Sequence, residues 1–141
     1  MDSLKLENQL CFPLYAASKE IIRKYRPLLE KLDLTYTQYI TMMVLWEEKQ
    51  VNVKSLGERL FLDSGTLTPL LKKLESKGYI TRTKASKDER NLEVKITKEG
   101  EELKKKATHI PEEIGSCINL TQEEAISLYQ ILYKILEQKE V

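Results

Sequence analysis

Apolar residues recur at helical spacing through most of the chain, so the sequence predicts a mainly α-helical protein. A first helix is predicted over residues 13–31, opening at Pro13, and Pro27 is expected to bend or interrupt its last turn. A second helix is predicted to begin after Thr35. The side chains that it is predicted to direct inward are Tyr39, Ile40, Met43, Val44 and Trp46.

The middle of the chain predicts two helices separated by a tight turn. The first is short, over residues 53–60, with Asn52 as its cap. The tetrad 63–66 indicates a turn and an N-cap for the second helix, which is predicted to end at Gly78, a residue suited to the position just after a helix. One side of this second helix is apolar throughout, with Leu67, Leu70, Leu71 and Leu74.

The spacing of apolar residues then changes from helical to alternating. Residues 79–83 and 92–97 alternate as strands do, and the polar stretch 84–91 between them is typical of a hairpin with a charged tip. Helical spacing returns from residue 98 to about Cys117, with a perturbation expected near Pro111. A final helix is predicted over residues 121–138, where Thr121 and Glu124 form a capping box.

This order of elements predicts an α+β fold, mainly α with a small β-hairpin, of the winged helix-turn-helix type. Small polar residues at the start of the second middle helix suit entry into the DNA major groove, and its lysines suit phosphates. The candidate DNA contacts on this helix are Ser64, Gly65, Thr66, Thr68, Pro69, Lys72 and Lys73.

The charged hairpin supplies further candidates for DNA contact, namely Lys84, Lys87, Asp88 and Arg90. An arginine at such a tip fits a narrow, electronegative minor groove, which favours Arg90. Asp88 can hold the Arg90 guanidinium through a charge-assisted hydrogen bond.

The near-neutral total charge conceals a basic middle segment. The 141 residues carry 23 Lys and Arg against 22 Asp and Glu, but residues 52–98 hold 11 basic and six acidic side chains. Residues 99–141 hold five basic and nine acidic ones. Because the basic segment coincides with the predicted winged helix-turn-helix, we prefer DNA binding to a merely solvated basic surface.

Several classes of protein are disfavoured by the composition. No apolar run approaches the roughly 18 residues that span a bilayer, and the N-terminus lacks the order of a signal peptide, so we expect a cytoplasmic protein without membrane contact. The single histidine, His109, argues against a His-based metal site or a Ser-His-Asp triad. We therefore expect no metal, no cofactor and no enzyme activity. Cys11 and Cys117 have the spacing of neither a zinc knuckle nor a CxxC pair.

Segments 62–75 and 88–90 resemble the recognition helix and wing of MarR-type regulators. Segments 6–12 and 34–39 are similar to the organic-hydroperoxide-sensing branch of that family, the OhrR group. The resemblance implies a single domain over residues 1–141, with the winged helix-turn-helix at about 52–98 and dimerisation helices at about 1–34 and 99–141. It also implies a homodimer on operator DNA whose repression is relieved when a cysteine is oxidised by organic hydroperoxides.

Cys11 lies at the N-terminal end of the predicted first helix, and two interpretations follow from this position. A helix N-terminus favours the reactive thiolate, whereas a cysteine among apolar neighbours is most often an inert, buried side chain. The resemblance favours the first interpretation, because Cys11 matches the reactive cysteine of the family. It implies that Tyr25 and Tyr36 donate hydrogen bonds to the thiolate and that Tyr15 is a third tyrosine of the pocket.

The role of Cys117 stays open at this point. Some members of the branch have a second, resolving cysteine near this part of the fifth helix, but Cys117 lies one residue beyond the usual site, which rotates its side chain by about 100°. A resolving and an incidental cysteine are both compatible with this offset. The sulfenic acid expected at Cys11 can alternatively form a mixed disulfide with a low-molecular-weight thiol.

Three functions from different classes can be compared. The sequence favours a redox-sensing repressor of this family. The alternatives are a MarR-type regulator of a broader oxidative-stress or virulence regulon, or one that responds to a small phenolic ligand. A thiol peroxidase that uses Cys11 is disfavoured, because nothing supplies a recycling site and the basic hairpin would have no purpose.

Overall fold

The computed structural model describes residues 2–84 and 92–137. A 3-10 turn at Leu6–Asn8 precedes the first helix. The helices are α1 (Cys11–Glu30), α2 (Tyr36–Glu48), α3 (Val53–Leu60), α4 (Ser64–Ser76), α5 (Lys98–Ala107), α6 (Ile110–Cys117) and α7 (Gln122–Leu136). The strands are β1 (Gln50–Asn52), β2 (Ile80–Lys84) and β3 (Leu92–Ile96).

Side-chain caps begin the helices where the sequence predicts them. Thr35 and Thr121 each form a complete capping box, with Gln38 and Glu124 respectively as the reciprocal partners. Asn52 accepts a hydrogen bond from the Lys54 main-chain N–H and so caps α3. These local signals confirm the predicted starts of α2, α3 and α7.

The prolines at positions 13, 27 and 111 differ in their effects on the helices. Pro13 is the third residue of α1, which begins two residues earlier than predicted, within the first turn, where main-chain N–H groups have no helical partner. Pro27 lies inside α1, yet the helix continues to Glu30. The perturbation near Pro111 is confirmed, because α5 ends at Ala107 and a separate α6 begins at Ile110.

Helix α2 is the central helix of the core. Met42 and Leu45 are fully buried, and Tyr39, Val44 and Trp46 are nearly so, whereas Ile40 is only partly buried. The inward prediction for Met43 is wrong, since its side chain is 44% exposed. The step of about 100° per residue places Met43 just outside the buried arc of the helix, and Met42 occupies the core position instead.

Among the described residues, the sheet has three antiparallel strands in the order β1-β3-β2. The predicted hairpin strands pair with Ile80 opposite Ile96 and Arg82 opposite Val94. Strand β1, which the sequence does not predict, adds Val51 opposite Val94 on the other side of β3. With helices α3 and α4 between β1 and the hairpin of β2 and β3, this sheet confirms the predicted winged helix-turn-helix fold.

The chain divides into two compact units, residues 1–110 and residues 111–141. The first holds the winged helix-turn-helix together with α1, α2 and α5. The second holds α7, in which no residue is buried. Its large apolar side chains are 38–63% exposed at Ile126, Leu128, Tyr129, Ile131, Tyr133, Ile135 and Leu136.

A compact junction joins α5 to α2 and to the end of α4. The Trp46 indole N–H donates to the Gly100 carbonyl at 2.8 Å, and the Thr97 hydroxyl donates to the Gly78 carbonyl at 2.6 Å. The Gly100 main-chain N–H donates in turn to the Thr97 hydroxyl. A Cβ at position 100 would lie 2.4 Å from the Tyr79 carbonyl oxygen, so this close approach of main chains requires glycine.

We expect Gly100→Ala to lower the free energy of unfolding by about 2 kcal/mol or more, because the added methyl group overpacks main-chain atoms that cannot move independently. Urea unfolding of the two proteins measures the difference. Gly115→Ala is the matched control, since no atom of the described residues lies within 4 Å of a Cβ at that helical position. This control is expected to be neutral or slightly stabilising; equal effects of the two substitutions would contradict the packing argument.

Candidate nucleic-acid interface and redox site

Helix α4 has a buried apolar side that packs against the core and an exposed polar side that faces solvent. Leu67, Leu70, Leu71 and Leu74 are 0–6% exposed. The Asp63 carboxylate accepts from the Thr66 main-chain N–H at 2.8 Å and fixes the start of the helix. All the residues predicted on this helix to contact DNA are exposed: Ser64, Gly65, Thr66, Thr68, Pro69, Lys72 and Lys73.

Ion pairs neutralise several cations of the basic segment. Arg59 contacts Glu47 at 2.6 Å and Glu48 at 3.2 Å, joining α3 to α2. Arg82 contacts Glu75 at 3.0 Å, joining β2 to α4. Sequence reasoning did not identify these pairs, because their members lie on different elements and follow no common period. The cationic character of α4 therefore rests on the exposed Lys72 and Lys73.

The hairpin formed by β2 and β3, here called the wing, is described only in part. Lys84 is exposed at the end of β2. The predicted contacts Lys87, Asp88 and Arg90 lie outside the described residues, and their roles stay predictions.

Among the predicted redox residues, Cys11 and Tyr25 lie towards opposite ends of α1, and Tyr36 is the first residue of α2. Cys11 is the first residue of the helix and is exposed. Tyr15 follows one turn later and is 59% exposed, so these two side chains are neighbours on one side of the helix. Tyr25 lies 14 residues after Cys11, which corresponds to about 21 Å along a helix. Within one chain, α1 therefore keeps the Cys11 thiol away from Tyr25.

Tyr25 belongs to a group of three neighbouring phenol rings, tilted relative to one another and here called the tyrosine cluster. Its ring centroid is 4.9 Å from that of Tyr36 and 5.8 Å from that of Tyr39. The structure thus brings together the predicted Tyr25 and Tyr36 and adds Tyr39, which the sequence assigned only to the core. Burial, and then the neighbouring phenols, raise the pKa of Tyr25 to about 12.

Burial also raises the pKa values of Tyr36 and Tyr39 above the ordinary phenol value. All three phenols therefore keep their protons at neutral pH and can act as hydrogen-bond donors. A cluster of protonated phenols is suited to holding an anionic acceptor, of which a thiolate is one example.

Cys117 is the last residue of α6 and belongs to the second unit. Its thiol is exposed, and neither cysteine forms a disulfide within the chain. Among residues 2–84 and 92–137, no group of three or more His, Cys, Asp or Glu side chains is arranged to hold a metal ion. In the same part of the chain, no helix combines the length and apolar character needed to cross a membrane.

The fold and the polar side of α4 together define a winged helix-turn-helix transcriptional regulator. The family described as transcriptional regulator SarA/Rot matches residues 23–107. The organic hydroperoxide resistance transcriptional regulator of Bacillus subtilis strain 168 is 48% identical over 139 residues, which cover 96% of this chain and 92% of that protein. The HTH-type transcriptional regulator SarZ of Staphylococcus aureus strain USA300 is 50% identical over 120 residues, covering 85% and 81%.

Among solved structures, reduced AbfR of Staphylococcus epidermidis bound to DNA superposes with a TM-score of 0.78 at 33% identity and covers 96% of this chain and 95% of that one. The same protein has been solved with a disulfide formed, at a TM-score of 0.66.

The chain belongs to the MarR family of transcriptional regulators, in the branch that contains the OhrR regulators. The relatives are regulators of transcription and not enzymes, which confirms the expected class.

The raised pKa of Tyr25 predicts a loss of stability at alkaline pH. A raised folded-state pKa contributes stability that is present below the ordinary value of 10 and lost as the pH rises towards about 12. Urea unfolding between about pH 9 and pH 12 should therefore show a smaller loss for Tyr25→Phe than for the wild type. A slope in Tyr25→Phe equal to that of the wild type would refute the assignment.

Proposed function

We propose that this protein is a redox-sensing repressor that binds operator DNA as a homodimer and is released when an organic hydroperoxide oxidises Cys11. The observation that carries the proposal is the exposed thiol of Cys11 at the first residue of α1, in a chain 48% identical to an organic hydroperoxide resistance regulator.

The exposed side of α4 supports binding of duplex DNA. Its first turn presents Ser64, Thr66 and a helix N-terminus, and its middle presents Lys72 and Lys73. Hydroxyls and main-chain N–H groups can bind phosphates or base edges, and lysines supply the charge that displaces counterions. The likeness to AbfR, which has been solved on DNA, points in the same direction.

The second unit supports a homodimer. Helix α7 buries none of its residues in the single chain, although Ile126, Leu128, Ile131 and Ile135 are apolar and all at least 41% exposed. The first turns of α1 are similar, with Phe12 43% exposed. A continuous series of exposed apolar residues on a helix is suited to burial against another chain. A second copy of this chain is the occupant that the family resemblance implies.

The length of α1 supports a redox site shared between the two copies. Cys11 and Tyr25 are about 21 Å apart along α1, so one chain does not bring thiol and phenol together. A partner chain, in contrast, can place its own Cys11 against the tyrosine cluster. Hydrogen bonds from Tyr25 and Tyr36 would then stabilise the thiolate over the thiol.

The proposed sensing step is nucleophilic attack of the Cys11 thiolate on an organic hydroperoxide. The sulfur forms a bond to the terminal peroxide oxygen, the O–O bond breaks, and the alkoxide takes up a proton to leave as an alcohol. Cysteine is oxidised to sulfenic acid while the hydroperoxide is reduced by the same two electrons. The product has lost the anionic sulfur that the phenols hold.

The sulfenic acid can next condense with a second thiol, which forms a disulfide and releases water. Cys117 is one source of that thiol, because it is exposed at the end of α6. A low-molecular-weight thiol is the other source. Peptide mass spectrometry of the oxidised protein without reduction distinguishes a Cys11–Cys117 peptide from a mixed disulfide on Cys11.

We expect an organic hydroperoxide to abolish DNA binding by the wild type but not by Cys11→Ser, because serine has no sulfur to oxidise. The measurement is a fluorescence anisotropy titration with and without cumene hydroperoxide. The DNA is a duplex that the reduced wild-type protein selects from a random-sequence library.

Cys117→Ser is the matched control in this titration, since it removes the other exposed thiol. It should still lose DNA on first exposure to the hydroperoxide if sulfenic acid at Cys11 is sufficient for release. Release of Cys11→Ser by the hydroperoxide, or retention of DNA by the treated wild type, would overturn the sensing proposal.

We expect Ile131→Glu to weaken the dimer by at least tenfold, because a carboxylate at this exposed apolar position of α7 would be buried without a partner in the dimer. Analytical ultracentrifugation over a range of protein concentrations measures the dissociation constant. Gln130→Glu introduces the same charge at the preceding polar position and should leave the dimer intact. A dimer of wild-type strength in Ile131→Glu would exclude α7 from the interface.

A further inference from the structure

The side chain of Glu75, on α4, is hydrogen-bonded to β2, one strand of the wing. The Glu75 carboxylate accepts two hydrogen bonds from Arg82, one from the guanidinium at 3.0 Å and one from the main-chain N–H at 3.1 Å. Glu75 is in the last turn of the recognition helix, α4, and Arg82 is the third residue of β2.

The main-chain hydrogen bond matters because β2 is an edge strand. In the order β1-β3-β2, strand β2 pairs only with β3 among the described strands, so its outer edge has no strand partner there. Glu75 occupies that edge at Arg82 and satisfies a main-chain donor that no strand reaches. The carboxylate therefore joins the helix to the strand itself and not only to a side chain.

The pair is more constrained than an ordinary surface ion pair. The Arg82 side chain is only 19% exposed, whereas the two members of the Arg23–Glu20 pair on α1 are 70% and 47% exposed. Among the described residues the Arg82 Nε is buried and makes no hydrogen bond, so the guanidinium contacts Glu75 through a terminal nitrogen. The bond from Arg82 also lowers the pKa of Glu75, which keeps the carboxylate ionised.

The position of the pair connects it to both DNA-binding elements. Glu75 follows Lys72 and Lys73 within one turn of α4. Arg82 precedes Lys84, the last residue of β2, by two positions. A change in the distance between Glu75 and Arg82 therefore changes the distance between the cations of α4 and those at the end of β2.

We propose that Glu75 and Arg82 are positioning residues for DNA binding, which fix the wing relative to the recognition helix without contacting DNA themselves. This inference rests on the proposed DNA-binding function. According to this proposal, the Arg82 guanidinium, although it belongs to the basic segment 52–98, contacts Glu75 and not a DNA phosphate.

The substitution Glu75→Gln distinguishes a positioning role from a purely electrostatic one, because the two roles predict opposite changes in DNA affinity. Loss of a negative charge beside DNA should by itself strengthen binding, and it would also free the Arg82 guanidinium for a phosphate. Positioning predicts the opposite, because the amide cannot hold the guanidinium in an ion pair. We expect Glu75→Gln to bind about five- to tenfold more weakly.

The salt dependence of affinity separates positioning from direct contact. Each phosphate contact that is lost reduces the slope of log K against log salt by about 0.9. We expect Lys72→Ala to reduce the slope by about that amount and Glu75→Gln to leave it unchanged. Binding to the duplex selected by the wild-type protein is measured by anisotropy at several KCl concentrations.

Arg82→Lys provides a second test that keeps both the net charge and the main-chain N–H. Lysine lacks the planar guanidinium, so the proposal predicts weaker binding with an unchanged slope, whereas a plain electrostatic role predicts no change. Glu20→Gln is the matched control, because it removes an arginine-bound carboxylate that lies on α1, outside α4 and the wing, and it should bind like the wild type.

Circular dichroism at the temperature of the titration shows whether each variant is folded, and only folded variants are compared. Equal or tighter binding by Glu75→Gln, or a reduced slope in either variant, would overturn the positioning role. Failure of the wild-type protein to select any duplex would instead refute the proposed DNA-binding function, so the two failures are distinct.

Discussion

Burial of one side of α4 is the contact on which the rest of the DNA-binding half depends. Four leucines of this helix are almost completely removed from solvent, and each contributes about 1.5–3 kcal/mol by that burial. Because the leucines fix which side of α4 faces the core, they also determine which residues of the helix face solvent. The polar residues from Ser64 to Lys73 are exposed as a consequence of core packing, and the Glu75–Arg82 pair then attaches the wing to a helix that is already fixed.

A second constraint is the length of α1, which separates the thiol from the phenols of the same chain. Each chain carries a prepared tyrosine cluster whose rings contact one another and whose protons are retained at neutral pH. Each chain also carries an exposed thiol at the other end of α1. In the proposed mechanism, a reactive site assembled from these parts requires two copies, because a single chain does not bring the thiol and the phenols together.

Local signals in the sequence were sufficient to predict most of the fold. The caps at Thr35, Asn52 and Thr121 lie within three residues of their partners, and the leucine spacing of α4 follows directly from the helical repeat. Features that depend on contacts between elements could not be predicted in this way. Strand β1 has three residues, too few to show alternation, and Glu75 and Arg82 share no period because one is helical and the other extended. Tyr25 and Tyr36 were identified by family resemblance, whereas the separation of Tyr25 from Cys11 follows from the unbroken run of α1 between these two residues.

The two constraints together connect oxidation with DNA release in the proposed mechanism. A dimer on DNA must hold its two recognition helices at the spacing of successive major grooves, roughly 34 Å or a multiple of it. That spacing depends on how the two copies are placed. A thiol–phenol contact made between copies also depends on the relative placement of the two copies. Loss of this contact on oxidation therefore changes that placement, and with it the spacing of the two recognition helices. A contact within a single chain would lack this property, because it could break without altering the relation between the copies. In the proposed mechanism, the separation of Cys11 from Tyr25 along α1 thus couples oxidation of one sulfur atom to the affinity of the dimer for DNA.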